Sequence, residues 1–290
     1  MTAINKALCL ANLMRMGYST TESRLIVSAW IDYLNAYSLN TVINHGVSTH
    51  PVFESGMNIE VGGKLFMSCH YGSYVDIVCS IGRRAKENTV HVLIGDEPER
   101  LKRSLIERVR EAGITVYFID GGFGMLRQLR KVLSDGFPVF VEIDVPWGPS
   151  QSCDISFPFV GGKLMGKRAL FNMAERLHVE KNFVLSSVGK NSITICNFGD
   201  LDQSDCYRIF ADTVRNGPHL YERLFQLHNY FEPEVDSDVA IIWAGKSDHY
   251  ILHARDMKTW MTPHSLSLEA SPQDLVAHLI GRTVSDVISI

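Results

Sequence analysis

The chain has 290 residues, 46% of them hydrophobic and 21% charged, and a net charge of −4. That length and apolar content suffice for one large domain with a full core. The charge balance excludes a basic field able to hold nucleic acid or to bind anionic lipid by charge alone, and no uncharged stretch approaches the ~20 apolar residues of a transmembrane anchor.

An N-terminal segment, 1–45, opens the chain, and residues 3–40 within it read as helical. Leu8, Leu10, Leu13 and Met14, then Leu25, Ile26, Trp30, Tyr33 and Leu34, recur mostly at three- and four-residue spacings. Gly46, Pro51, Gly56, Gly62 and Gly63 break the stretch 44–63, which reads as loop with one short extended piece. An alternation follows. Lys64–Ser68 predicts a strand, Tyr74–Arg84 a helix and Val90–Ile94 a strand. Pro98–Ala112 predicts a helix with Gly113 just past its end, Thr115–Ile119 a strand, Gly124–Ser134 a helix closed by Gly136, and Pro138–Ile143 a strand. Strands and helices joined by short connectors imply the α/β class: a mixed, largely parallel central sheet flanked by helices.

Beyond it, 144–162 reads as a loop rich in Pro, Gly and Ser, with a short strand at 153–157. Lys163–Leu177 reads as a helix, Phe183–Val188 and Ser192–Asn197 as a hairpin turning at 189–191, and 204–231 as helical. The tail predicts strands at Val239–Trp243 and Tyr250–His253 and a last helix near 272–287. No repeat, low-complexity linker or composition break divides the chain, so a single domain spanning 1–290 is the expectation.

Six cysteines stand at positions 9, 69, 79, 153, 196 and 206, without CxxC or zinc-finger spacing. With no secretory h-region in view, the thiols are expected to be reduced and the protein cytoplasmic, or peripheral to the inner membrane. No metal is expected. His249 and His253 are four apart, but on a strand pattern and without an evident third ligand.

Chemistry concentrates in Ser68-Cys69-His70-Tyr71-Gly72-Ser73-Tyr74-Val75-Asp76. His70 falls between a strand and a helix, where α/β sheets place ligands. An imidazole there serves as a general base near neutral pH. Asp76, early in the next helix, is the nearest acid and the favoured partner for the ring. Asp144 and Glu142, at the end of a predicted neighbouring strand, are the alternatives. Gly72 offers a permissive turn and Ser73 a helix cap. Cys69 adjoins His70, but neighbours on a strand point to opposite faces, so it is expected in the core rather than as a nucleophile. Cys153 is a lesser candidate of the same kind. Gly121-Gly122-Phe123-Gly124 lacks the residues that complete a nucleotide fingerprint and reads as a tight turn.

The segment around His70 resembles the signature of the lysophospholipid acyltransferase superfamily, in which a His and an acid form the catalytic dyad. The downstream order is similar to its lipid A late-acyltransferase branch. Arg108-Val109-Arg110 with Gly113 comes first, then a helix closed by Gly136, then Val139–Ile143 and Asp144-Val145-Pro146-Trp147-Gly148-Pro149. Phe157-Pro158-Phe159-Val160-Gly161 and a helix containing Ala174 complete it. The similarity spans roughly 60–245 and departs at one point: the family acid falls at position 75, here Val75, with Asp76 one residue later.

The resemblance implies an acyltransferase without a covalent enzyme intermediate. His70, with Asp76, would take the proton of an acceptor amine or hydroxyl as it attacks a thioester. Ser73, Arg108 and Asp144 would support the site, and Gly72, Trp147, Phe157 and Phe159 would line the substrate. The donor would be an acyl, aminoacyl or peptidyl group on the phosphopantetheine of an acyl or peptidyl carrier protein, with no cofactor bound to the enzyme itself. A small-molecule acceptor in specialised-metabolite biosynthesis is the first expectation. A lipid acceptor met by a peripheral enzyme, or a lapsed relative that binds a carrier protein or lipid without turnover, are the alternatives. No nucleic-acid partner is expected.

Overall fold

A computed structural model describes residues 2–37, 50–95, 99–122, 124–145, 153–234, 236–244, 248–263, 271–280 and 284–290. Its contacts gather into two compact units: Met1–Ile31, Phe159–Leu164 and Arg223–Ile290 in the first, Asp32–Pro158 and Met165–Glu222 in the second. Each unit is assembled from separate stretches of chain, and interleaving of this kind leaves no composition break for a sequence to show.

The second unit carries the alternation. β1 (Val52–Ser55), β2 (Leu65–Ser68), β3 (Thr89–Ile94), β4 (Thr115–Asp120), β5 (Val139–Glu142), β8 (Lys181–Val188) and β9 (Ile193–Asn197) form a seven-stranded sheet in the order β1-β9-β8-β2-β5-β3-β4. β8, β2, β5, β3 and β4 are mutually parallel, and β9 turns back antiparallel to β8. All four residues of β2 are buried. An uninterrupted apolar run is what a strand covered on both faces requires. The expected α/β architecture, with its largely parallel sheet and flanking helices, is therefore the one observed.

α3 (Tyr74–Gly82) connects β2 to β3, α4 (Glu99–Glu111) connects β3 to β4, and α5 (Met125–Ser134) returns from β4 to β5. Right-handed crossovers put α3 and α4 on one face and the returning α5 on the other. The core on the first face joins Val75, Ile77, Val78 and Ile81 of α3 to Leu105 and Val109 of α4 and to Phe66, Phe140, Val90 and Val116 of the sheet. Leu129 and Leu133 of α5 are buried as well but stand outside that cluster. Gly82 belongs to the α3 packing: a Cβ there would lie 2.6 Å from the Ile114 side chain.

Two stretches depart from the sequence reading. The expected helix 163–177 is a strand, β7 (Gly162–Gly166), followed by a shorter helix, α6 (Ala169–Arg176). Val160-Gly161 forms the turn after β6 (Ile155–Phe159), and Gly161 takes φ +70. Gly162, Leu164 and Gly166 then alternate inward with a strand's period of two. Second, the helix expected over 204–231 is α7 (Gln203–Asn216); the Gly217 N–H still bonds the Thr213 carbonyl at 3.1 Å, and Pro218, which has no N–H, ends the ladder. Short 3-10 turns follow at Pro218–Leu220 and Glu222–Asn229.

The first unit contains α1 (Ala3–Arg15) and the start of α2 (Thr20–Tyr37). Asn12, wholly buried on α1, donates to the Leu224 carbonyl at 2.7 Å. Gly161 packs on the end of α1 so closely that a Cβ would fall 2.3 Å from the Met16 carbonyl oxygen. β10 (Phe231–Pro233) pairs antiparallel with Gly162–Leu164 of β7. β11 (Val239–Ala244), β12 (Asp248–His253), β13 (Thr259–Pro263) and β14 (Asp286–Ser289) form a four-stranded sheet in the order β13-β12-β11-β14. The helix expected over 272–287 runs only over Pro272–Ile280, and the chain ends as β14, parallel to β11. β13 is a strand that the sequence reading did not anticipate.

Among the described residues, no helix is long and apolar enough to cross a membrane.

Candidate active site

The geometry begins with strand register. Ser68 of β2 pairs with Glu142 of β5, and the Ile143 N–H donates to the Ser68 carbonyl at 2.8 Å. Side chains two apart share a face, so the next facing pair along the same row is His70 and Asp144. Both carboxylates of the 142–144 stretch therefore reach the same imidazole. Asp144 Oδ1 lies 2.9 Å from His70 Nδ1 and also accepts the His70 backbone N–H at 3.0 Å. Glu142 Oε2 lies 2.8 Å from His70 Nε2.

The two carboxylates differ in setting. Asp144 is fully enclosed, whereas the Glu142 side chain keeps 18% of its surface in solvent. Burial pushes the Asp144 carboxyl upward, but the His70 charge and the two hydrogen bonds from His70 outweigh it, leaving Asp144 below the ordinary aspartate range. Its second oxygen, Oδ2, is buried without a hydrogen-bond partner.

This arrangement corrects the favoured pairing of His70 with Asp76. The Asp76 carboxylate is bonded by the Ser73 hydroxyl, and its other oxygen, Oδ1, is buried without a partner. Asp76 is 3% exposed, and burial raises its carboxyl, with the Ser73 bond and the charges of Arg83 and His50 pulling the other way. The physical reason is helical. Asp76 sits in the first turn of α3, three residues from the helix-capping position of Ser73, and that spacing directs its carboxylate to the cap. Ser73 thus serves Asp76 rather than the imidazole.

Gly72 is a packing residue. It adopts φ +66, and a Cβ would meet the Ser186 carbonyl oxygen of β8 at 2.1 Å. A side chain here would keep the turn from closing on β8. The turn is also fastened by hydrogen bonds to two distant segments. Gly72 N–H donates to the Leu220 carbonyl at 3.0 Å, the Tyr33 hydroxyl bonds the Gly72 carbonyl, and the Glu222 N–H donates to the His70 carbonyl at 2.8 Å. Tyr71 and Tyr221 form an isolated antiparallel bridge.

Arg108, half-buried on α4, lies within electrostatic reach of Glu222 and Tyr74, the two residues flanking this turn, and burial lowers its guanidinium pKa. Arg110 is exposed. Phe157 is buried and stacked on Tyr207, with ring centroids 4.0 Å apart. The Tyr207 hydroxyl donates to the Ile143 carbonyl at 2.6 Å, tying that aromatic pair to the backbone between Glu142 and Asp144. Phe159 packs in the first unit, edge-on to Phe231. Trp147 lies outside the described residues, as do Pro98 and Phe123.

Cys69 is wholly buried, and burial, with Asp144, Cys206 and Glu142 adding to it, pushes its thiol well above the ordinary value. A thiol so disfavoured as thiolate is a poor nucleophile. Cys153 is likewise raised, by burial first. His253 is not open to a metal: both ring nitrogens are bonded to carboxylates, Nδ1 to Asp256 at 3.0 Å and Nε2 to Asp238 at 2.9 Å.

Four contributors to the site went unread in the sequence: Tyr33, Tyr207, Leu220 and Glu222. Each comes from a segment far along the chain and acts through one hydrogen bond to backbone, which leaves no motif. The signal was that Tyr33, Tyr207 and Leu220 fell in helical patterns, which argues burial and nothing more.

No protein-family model matches the chain, and no curated protein matches it either.

Proposed function

We propose that this chain is an acyltransferase that moves an acyl, aminoacyl or peptidyl group from a carrier-protein thioester to an amine or hydroxyl acceptor, in the manner of the lysophospholipid acyltransferase superfamily. One observation carries the reading. His70 stands just past the C-terminal end of a central parallel strand, with Nδ1 fixed by the enclosed carboxylate of Asp144. A buried acid on Nδ1 sets the tautomer and ring orientation and favours the imidazolium formed when Nε2 takes a proton, the logic of a His–Asp pair in acyl transfer. Such a pair relays a proton from the acceptor to the departing thiolate without a covalent enzyme intermediate. Nearby thiols do not compete for the nucleophile's role, since Cys69 is sealed in the core.

Asp144 replaces Asp76 as the orienting acid in this scheme. Arg108 supplies positive charge beside the His70 turn for the oxyanion of the tetrahedral intermediate. The donor brings its own phosphopantetheine arm, so the chain itself needs no prosthetic group.

The test is intact-protein mass spectrometry of acyl-carrier proteins incubated with the enzyme and a pool of amine and alcohol acceptors. Loss of the acyl mass from the carrier, matched by a new amide or ester, is expected with the native chain and not with His70→Ala. Equal turnover by the variant would overturn the mechanism.

A further inference from the structure

The Nε2 atom of His70, which a hydroxyl acceptor would need as its base, is already engaged by Glu142. Two short N···O contacts to two carboxylates require two protons, one in each bridge. With only one, a ring lone pair would face an anionic oxygen. The resting site therefore holds the elements of an imidazolium between two carboxylates, a unit with net charge −1. An imidazolium has no lone pair to offer a hydroxyl. It suits a nucleophile that arrives positively charged and carries its own surplus proton.

From this geometry we propose, resting on the acyltransferase reading, that the acceptor is a primary amine bound as its ammonium ion, and that Glu142 is the catalytic residue that receives it. Glu142 fits the part by position. Its side chain keeps 18% of its surface in solvent, although Oε1 is buried, while Asp144 on the other side is enclosed and tied to the His70 backbone. It also leaves the strand on the same row as Ser68 and His70, so the ammonium it holds lies against Nε2.

The step balances as follows. Glu142 accepts one proton of R–NH3+, and the freed lone pair attacks the thioester carbonyl. A C–N bond forms and the carbonyl π pair moves to oxygen. As the oxyanion collapses, the C–S bond breaks and the sulfur takes the proton from His70 Nε2. The ring then removes one proton from the positively charged nitrogen of the new amide and is again an imidazolium. Glu142 releases its proton to solvent. The sum is ammonium plus thioester giving amide, thiol and one proton.

Two measurements test it. Hexylammonium and hexanol are titrated into protein labelled with 15N in the histidine rings. Hexylammonium is expected to shift the His70 ring signals of the native chain, hexanol is not, and Glu142→Gln is expected to abolish the hexylammonium shift. In the second, transfer from an acyl-pantetheine thioester to hexylamine is expected to fall about 100-fold in Glu142→Gln, the scale of one acid–base group. Glu142→Asp, which keeps the charge but withdraws it by a methylene, should also lose at least tenfold by the same measure. Circular dichroism melting confirms that each variant is folded, and if Glu142→Gln is not, Glu142→Asp decides. Transfer to hexanol with none to hexylamine, a hexylammonium shift that survives Glu142→Gln, or equal losses for both acceptors would overturn the assignment of Glu142 and leave the acyltransferase reading standing. Transfer from the carrier-protein thioester to no acceptor at all would remove both.

Discussion

Two histidines in this protein are each held between two carboxylates, and they teach different things. His70 in the second unit bridges Asp144 and Glu142; His253 in the first bridges Asp256 and Asp238. The pairing chemistry is the same, but the exposure is distributed differently. At His253 the ring is sealed, 1% exposed, while its two acids keep 40% and 30% of their side chains in water. At His70 one acid is sealed and the other keeps 18% of its side chain in water. The His253 partners come from the turn after β12 and the residue before β11, and further bonds knit them in: the Lys258 N–H donates to Asp256, and the Ser285 N–H to the Asp238 carbonyl. That clamp closes a sheet corner. The His70 clamp stands at the C-terminal edge of a parallel sheet. A doubly paired histidine is not in itself a sign of catalysis; where the clamp stands in the fold is what sets these two apart.

The sharpest way to break the comparison is to neutralise the enclosed acid. In Asp144→Asn the His70 backbone N–H holds the amide oxygen in place, so the ring keeps its orientation and loses only the charge that favours the imidazolium. Acyl transfer should fall by about 10²–10³-fold, with the fold retained. An unchanged rate in the mass-spectrometric assay would reduce the His70 clamp to a staple. Stability carries its own signature. The native Asp144 pKa lies below its unfolded value of about 3.9, so its contribution is fully present above that pH and is lost as pH falls through the lower native value. Acid titration of the native chain should show this loss below about pH 4, and Asp144→Asn should lack it.

Much of this was legible. The alternation of short apolar strands with helices across short connectors pointed to the sheet, and Glu142 and Asp144 were visible as acids at the end of a neighbouring strand. What sequence spacing could not weigh was strand register against helix capping. Asp76 is closer to His70 in the chain, but its first-turn position on α3 points it at Ser73. Asp144 is 74 residues away, and the pairing of Ser68 with Glu142 brings it to the ring. The misread stretches have a similar cause. Gly162–Gly166 and Asp286–Ser289 are strands because β10 and β11 pair with them, and a distant partner leaves no trace in a local apolar period.

Next in size is Gly72→Ala. The added Cβ would lie 2.1 Å from a backbone oxygen of β8, at a φ that side chains rarely adopt. Something must shift, at a cost of about 3 kcal/mol in urea unfolding. Because the displaced turn carries His70, the activity of the molecules still folded should fall too. A fully active variant would mean the turn does not position the ring. His253→Ala should cost about 2 kcal/mol by the same measurement, through the hole it leaves and the two hydrogen bonds it removes. Here the rate per folded molecule should be unchanged, and a drop in rate would blur the line drawn between the two clamps.

The smallest effect is expected at Asp76, and its smallness is informative. Burial has raised its native pKa above the unfolded value, so ionising it works against folding. The penalty is absent below about pH 3.9 and grows as pH rises through the higher native value, the reverse of Asp144. Asp76→Asn removes the charge and keeps an oxygen for the Ser73 hydroxyl to donate to. Stability at neutral pH should therefore hold or rise, within about 1 kcal/mol. If Asp144 is the acid that orients His70, the transfer rate should fall less than about tenfold, whereas loss of a catalytic partner would cost 10² or more. A stable Asp76→Asn with a rate as low as that of Asp144→Asn would return the dyad to the residue nearest His70 in the chain and leave the β5 carboxylates as its scaffold.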